Sequence, residues 1–202
     1  MIEHHIDIET NDGTMATFIS HPDADGPYPV VLFLMDAPGK REELHDMARR
    51  ISATGYYVML PNLYYREVRS FTLHREDPAS AEYMFKLMSN LRNDMVARDA
   101  KKMIAYADAD VVADASRIGV TGYCMSGPFA LWLSAEFPDV IKSAASIHGV
   151  RLAVDAEDSP HSRAAEMVGE ILVMAAEYDD YVDRAHYDRL VAALDAVGTN
   201  AH

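Results

Sequence analysis

Short uninterrupted apolar runs, separated by stretches of helical period, constrain this chain more than any other feature. Pro29-Val30-Val31-Leu32-Phe33-Leu34-Met35 is apolar at successive positions, so a strand there buries both of its faces. Tyr56-Tyr57-Val58-Met59-Leu60-Pro61 and Arg117-Ile118-Gly119-Val120-Thr121-Gly122 read the same way, as do Ser143 to Gly149 and Ile171 to Ala176. Such strands need helices on each side, and the intervening stretches supply them. Leu44, Met47, Ala48 and Ile51 share one helical face that ends at Gly55. Leu87, Met88, Leu91, Met95, Met103 and Ile104 mark a longer helical region with a break expected near Arg98. Ala130, Leu131 and Leu133 precede a stop at Pro138, and Tyr187, Leu190, Val191, Leu194 and Val197 form a stripe ended by Gly198. Ile2 to Ile8 and Thr14 to Ser20, joined across Asn11-Asp12-Gly13, read as an antiparallel hairpin. The expected architecture is α/β: a doubly wound, mostly parallel sheet with an antiparallel N-terminal hairpin.

Residues 1–202 form one expected domain, since this length supports one sizeable core and no low-complexity linker divides it. No segment approaches the roughly 18 apolar residues of a membrane helix. The start, Met1-Ile2-Glu3-His4-His5, lacks the basic and apolar regions of a secretory signal. A single cysteine excludes an internal disulfide framework, and the expected setting is the reducing cytoplasm. The formal charge of −14 argues against nucleic acid or an anionic membrane as partner. Nothing in the sequence sets the oligomeric state.

That cysteine lies in Gly122-Tyr123-Cys124-Met125-Ser126-Gly127, between an expected strand and an expected helix. A nucleophile there sits at the apex of a sharp turn, exposed at the carboxyl edge of the sheet. The following helix aims its N-terminus at the sulfur, which favours a thiolate and any oxyanion beside it. Gly122 and Gly127 allow the tight turn and close approach, and the Met125 N–H is a candidate oxyanion-hole donor. A free cysteine is otherwise most often a buried space-filler, and it is the strand–turn–helix context that reverses this expectation.

A cysteine nucleophile needs a base and a group that orients the base. In elbow-type hydrolases the chain order is nucleophile, acid, histidine. Asp179, in the turn leaving Ile171–Ala176, is the candidate acid, whereas Asp180 and Asp183 read as helix-capping residues. No histidine takes the third place. His186 lies off the apolar stripe and is expected to be solvated, His148 follows the strand next to the elbow and reads as structural with pocket lining as its alternative, and His161 belongs to a polar loop. His202 is too close to the preceding helix to have crossed the sheet. The histidine is expected beyond a further strand that begins near Asn200, so a C-terminal strand and histidine loop are expected to be missing from these 202 residues.

Taken together these motifs resemble the dienelactone hydrolase family. The resemblance runs from Val30 onward. It rests on Met35-Asp36-Ala37-Pro38-Gly39, Leu60-Pro61-Asn62-Leu63-Tyr64, Gly-Tyr-Cys-Met-Ser-Gly and Glu177-Tyr178-Asp179-Asp180-Tyr181-Val182. It implies an α/β-hydrolase fold and a Cys-His-Asp triad that cleaves an ester or lactone of a small molecule, with no metal and no cofactor. Cys124 matches the family nucleophile and Asp179 the acid, and the Ala37 and Met125 N–H groups would form the oxyanion hole. Asp36 matches the position of a glutamate that holds and activates the thiol; its alternative is an N-cap for the helix after Gly39. The sequence departs from the family at Glu82-Tyr83-Met84-Phe85, where no substrate-carboxylate arginine stands; Arg66 and Arg75 read as surface residues. The expected function is therefore a cysteine-dependent ester or lactone hydrolase. A non-catalytic hydrolase-fold binding protein and a redox-sensing thiol protein are the alternatives.

Overall fold

The computed structural model describes every residue of the chain except Asp25. Its N-terminal hairpin pairs β1 (Ile2–Thr10) with β2 (Gly13–His21) in antiparallel register from Ile2↔His21 to Thr10↔Gly13. The apolar runs become β3 (Tyr28–Leu34), β4 (Tyr57–Pro61), β5 (Ala113–Tyr123), β6 (Ile141–Ile147) and β7 (Glu170–Met174). They form one sheet of order β1-β2-β4-β3-β5-β6-β7, in which β4, β3, β5, β6 and β7 run parallel. β2 joins β4 antiparallel, which makes the sheet mixed as expected. β6 stops two residues short of the expected Gly149 because His148 turns to φ +41° and leaves the ladder.

The chain leaves β3 in one direction through α1 (Glu42–Ser52) to reach β4. It then passes back through α2 (Pro78–Ser89) and α3 (Asn93–Asp108) to β5 on the other side of β3. From there α4 (Gly127–Glu136) leads to β6, and α5 (Arg184–Val197) follows β7. Right-handed crossovers place α1 on one face of the sheet and α3 and α4 on the other. α1 buries Leu44 and Ala48, and the Ser52 hydroxyl donates to the Ser20 carbonyl at 2.8 Å, fixing this helix to the hairpin. α4 is buried on nearly every side, including Ala130, Leu131 and Leu133, because it is wedged between the sheet and neighbouring helices.

The helical region expected to break near Arg98 breaks at Asn90–Arg92 instead. Arg98 sits within α3 and pairs with Asp94 one turn earlier at 2.7 Å, a spacing that supports a continuous helix. Arg66 is not a surface residue: its guanidinium grips the fully buried Asp99 carboxylate with two bonds of 2.9 and 2.8 Å. After α5, Gly198 adopts the left-handed conformation that ends the helix, and the chain returns to the sheet. Ala201 forms a parallel bridge with Ile171, flanked by Ile171 N–H to Asn200 O and Val173 N–H to His202 O, both 2.9 Å. Among the described residues no helix is long and apolar enough to cross a membrane.

β3 is therefore the strand from which the chain departs in both directions. Crevices in open α/β sheets form at the carboxyl ends of strands at such a point. Here those ends deliver Asp36 and Ala37 from β3, Tyr64 from β4 and Cys124 from β5.

Candidate active site

Cys124 directly follows β5, at φ +54°. A non-glycine residue in the left-handed region is uncommon and persists only where its surroundings hold it. Three features hold this one. The buried Ser126 hydroxyl accepts the Tyr123 N–H at 2.8 Å and lies 3.1 Å from the Leu34 carbonyl, tying the turn to β3. The Val150 N–H donates to the Cys124 carbonyl at 3.2 Å. Gly122 leaves room for the reversal, since a Cβ there would lie 2.0 Å from the Ser126 carbonyl oxygen. Gly127 is equally constrained, because a Cβ would lie 2.5 Å from the Gly149 Cα where α4 passes the end of β6.

The Cys124 sulfur is half-buried and lies beside the Met125 N–H. Sequence reasoning expects the helix N-terminus to favour a thiolate, but the balance falls the other way. Burial pushes the thiol above its usual range, and the nearby carboxylates of Asp36 and Asp179 push it further, outweighing the Met125 N–H.

Asp36 does not cap a helix. α1 has Arg41 at its N-cap position, and the Asp36 carboxylate is gripped instead by the two terminal nitrogens of Arg41, one of them at 3.0 Å. Arg41 also donates to the Gly39 carbonyl at 3.0 Å, so the Asp36–Arg41 turn is closed on itself. Ala37, next in sequence, is buried. Asp179 lies in the loop after β7, accepts the Tyr181 N–H at 2.8 Å and acts electrostatically on both Cys124 and Tyr187. It lines a cavity of about 420 Å³ with Val182, Tyr187 and Ala201. Asp183, by contrast, is the N-cap of α5 and accepts the His186 N–H at 2.9 Å. On the other flank Met125 walls a cavity of about 400 Å³ with Met88, Leu91, Phe129 and Val150.

Among the described residues no histidine hydrogen-bonds to Cys124 or Asp179. His148 is exposed with its ring 6.2 Å from that of Tyr123, His161 bonds to Ser159, and His202 lies 3.6 Å from Glu170 at the amino end of β7. His186 is buried rather than solvated. Its Nε2 accepts the Leu152 N–H at 2.8 Å, which ties α5 to the loop after β6. No cluster of three or more metal-ligating side chains occurs among the described residues.

The sequence profile of the dienelactone hydrolase family matches residues 15–202. The chain belongs to this family. Over 202 residues it is 27% identical to a Methylorubrum extorquens protein named "Putative carboxymethylenebutenolidase", covering 98% of this chain and 67% of that one. The crystal structure of a "Putative Dienelactone Hydrolase" from Klebsiella pneumoniae superposes with a TM-score of 0.85 at 24% identity, covering 99% of this chain and 82% of the other. A dienelactone hydrolase-like promiscuous phosphotriesterase from metagenomic libraries shares the fold at a TM-score of 0.80 and 15% identity, over 100% of this chain and 79% of that one. Membership in the dienelactone hydrolase family makes the chain a hydrolase-family protein with an α/β-hydrolase fold.

One residue beside this site escapes sequence reasoning. Tyr64 belongs to the motif after β4, yet its buried hydroxyl donates to the Ala37 carbonyl at 2.8 Å and lies 3.2 Å from the Met125 Sδ. Only its place in Pro61-Asn62-Leu63-Tyr64 could have drawn attention to it.

Proposed function

We propose that this protein cleaves a carboxylic ester or lactone of a small molecule through an acyl-cysteine at position 124. The observation that carries the reading is the left-handed Cys124 at the end of β5, its sulfur beside the Met125 N–H. In this scheme the Cys124 sulfur attacks the substrate carbonyl carbon and the thiol proton passes to a base. The carbonyl oxygen takes negative charge between the N–H groups of Ala37 and Met125. Collapse expels the alcohol, which takes up a proton, and leaves the thioester; water then releases the acid and restores the thiol. Asp179 is the carboxylate that orients the base, and Asp36 is the second carboxylate acting on the thiol. The raised thiol fits this order of events, because a protonated resting sulfur resists oxidation and alkylation until substrate arrives.

Stopped-flow hydrolysis of p-nitrophenyl acetate tests the proposal. The expected result is a burst of nitrophenolate stoichiometric with protein, an acetyl adduct that intact-mass analysis maps to Cys124, and loss of both in Cys124→Ala. An undiminished burst in Cys124→Ala overturns the mechanism. A wild-type chain that binds esters but forms no adduct is a non-catalytic binding protein.

A further inference from the structure

The Tyr64 hydroxyl touches both residues whose N–H groups face the proposed oxyanion. It donates to the main-chain carbonyl of Ala37 on the β3 loop and meets the Met125 side chain on the elbow, segments far apart in sequence. The ring that carries this hydroxyl is itself fixed. Tyr64 is 2% exposed, its N–H donates to Asn62 Oδ1 at 3.1 Å, and its ring meets Phe71 edge-on at 6.1 Å. The Asn62 amide in turn donates to the carbonyls of Val68 and Arg69 at 2.9 and 3.0 Å, closing the loop that holds the tyrosine. We infer that Tyr64 is a positioning residue that sets the spacing between the Ala37 and Met125 N–H donors of the oxyanion hole. The inference rests on the acyl-cysteine reading above.

The physical argument is preorganisation. Two donors stabilise a developing oxyanion only if they already point at its position, because reorienting them during the reaction spends the gain. The Ala37 N–H belongs to the peptide that joins it to Asp36, whose carbonyl accepts the Gly39 N–H at 3.0 Å within the same loop, while the Ser126 hydroxyl ties the elbow to β3 only at the Leu34 carbonyl. The hydrogen bond from Tyr64 to the Ala37 carbonyl adds a constraint on the far side of Ala37, from the loop after β4. The hydroxyl must stay protonated to donate. Burial, with the nearby Asp36 carboxylate, holds its pKa above the usual tyrosine value.

Tyr64→Phe removes the hydroxyl and keeps the ring. Tyr65→Phe is the control: it removes the neighbouring hydroxyl, which bonds to Asp99 and Thr10 at 2.8 Å and lies outside the proposed hole. Three readouts separate positioning from general loosening of the loop. These are the acylation rate with p-nitrophenyl acetate, the affinity for phenyl trifluoromethyl ketone, and the rate of alkylation by iodoacetamide. The ketone adds the Cys124 sulfur to its carbonyl carbon and releases the thiol proton to solvent, leaving an oxyanion in the hole. Alkylation displaces iodide and forms no oxyanion. Tyr64→Phe is expected to slow acylation by about 10- to 100-fold, somewhat less than loss of a whole donor, and to weaken the ketone in proportion. Alkylation should stay within about twofold, and Tyr65→Phe should leave the acylation and ketone values in place, on the same scale. Equal losses in Tyr64→Phe and Tyr65→Phe, parallel losses of alkylation, unchanged acylation in Tyr64→Phe, or failure of that variant to fold would each overturn the inference. If the wild type forms no acyl-enzyme, the functional reading fails first and this inference with it.

Discussion

Replacing His186 by leucine tests whether α5 braces the loop beside the elbow. The imidazole is 7% exposed, and its Nε2 accepts the N–H of the fully buried Leu152 at 2.8 Å. Leucine retains most of the apolar bulk but offers no acceptor, so a buried N–H loses its partner. Such an orphaned donor costs about 1–3 kcal/mol. For a domain of this size each kcal/mol moves Tm by about 2–4 °C, so the melt should fall by about 2–12 °C at pH 8. The bond also requires a neutral ring. Burial lowers the His186 pKa, the Arg189 charge lowers it further, and Asp183 opposes them. A histidine whose folded pKa is depressed binds fewer protons folded than unfolded. Its stabilisation is complete above the unfolded value of about 6.5 and is lost as pH falls through the lower folded value. Thermal melts by circular dichroism should therefore show a gap between wild type and His186→Leu at pH 8 that narrows on acidification. His5, whose pKa burial also lowers, adds a slope of the same sign to both proteins and cancels in the difference. Equal melting temperatures at pH 8, or a gap that stays constant down to about pH 5, would refute the reasoning.

Two further substitutions probe the elbow itself. Asp36→Asn removes one of the carboxylates that raise the Cys124 thiol and leaves Arg41 with Glu43 as its remaining ion-pair partner. The midpoint of the pH–rate curve for iodoacetamide alkylation should move down, and an unchanged or higher midpoint would show that the carboxylate does not act on the sulfur. Gly122→Ala puts a methyl group 2.0 Å from a backbone oxygen that no rotamer change can relieve. A loss of about 1–3 kcal/mol or more is expected, together with loss of the acylation burst. Wild-type melting and burst in this variant would mean that the turn is looser than the structure shows.

The parts of the fold set by local pattern were open to sequence reasoning. Apolar runs such as Val30–Met35 report strands buried on both faces, and the Gly-x-Cys-x-Ser-Gly spacing reports a strand–turn–helix junction, because each depends on neighbours a few residues away. Features set by distant partners were not open. His186 lies off the apolar stripe of α5, yet it is buried with Tyr187, Leu190 and Leu194 while Val191 and Val197 of the stripe are exposed. Periodicity cannot show that the buried face includes a contact with the Leu152 loop. The buried pair of Arg66 and Asp99 joins residues 33 apart, with no local signal at either end. Asp36 was legible as a position and misleading as a cap, because the helix starts past Arg41 and that arginine takes the carboxylate first. The direction of the thiol shift was missed for a similar reason. The helix N-terminus is visible in sequence, whereas desolvation and two converging carboxylates appear only once the chain is folded.

The backbone at residue 124 also acts as a filter on evolution. A left-handed φ of +54° accepts an unbranched side chain at moderate cost and penalises one branched at Cβ. Serine can therefore replace cysteine here without disturbing the turn, while threonine, chemically as able a hydroxyl, is shut out by stereochemistry alone. Drift between thiol and hydroxyl chemistry stays open to a lineage built on this junction, and the path through a branched nucleophile is closed before catalysis is ever tested.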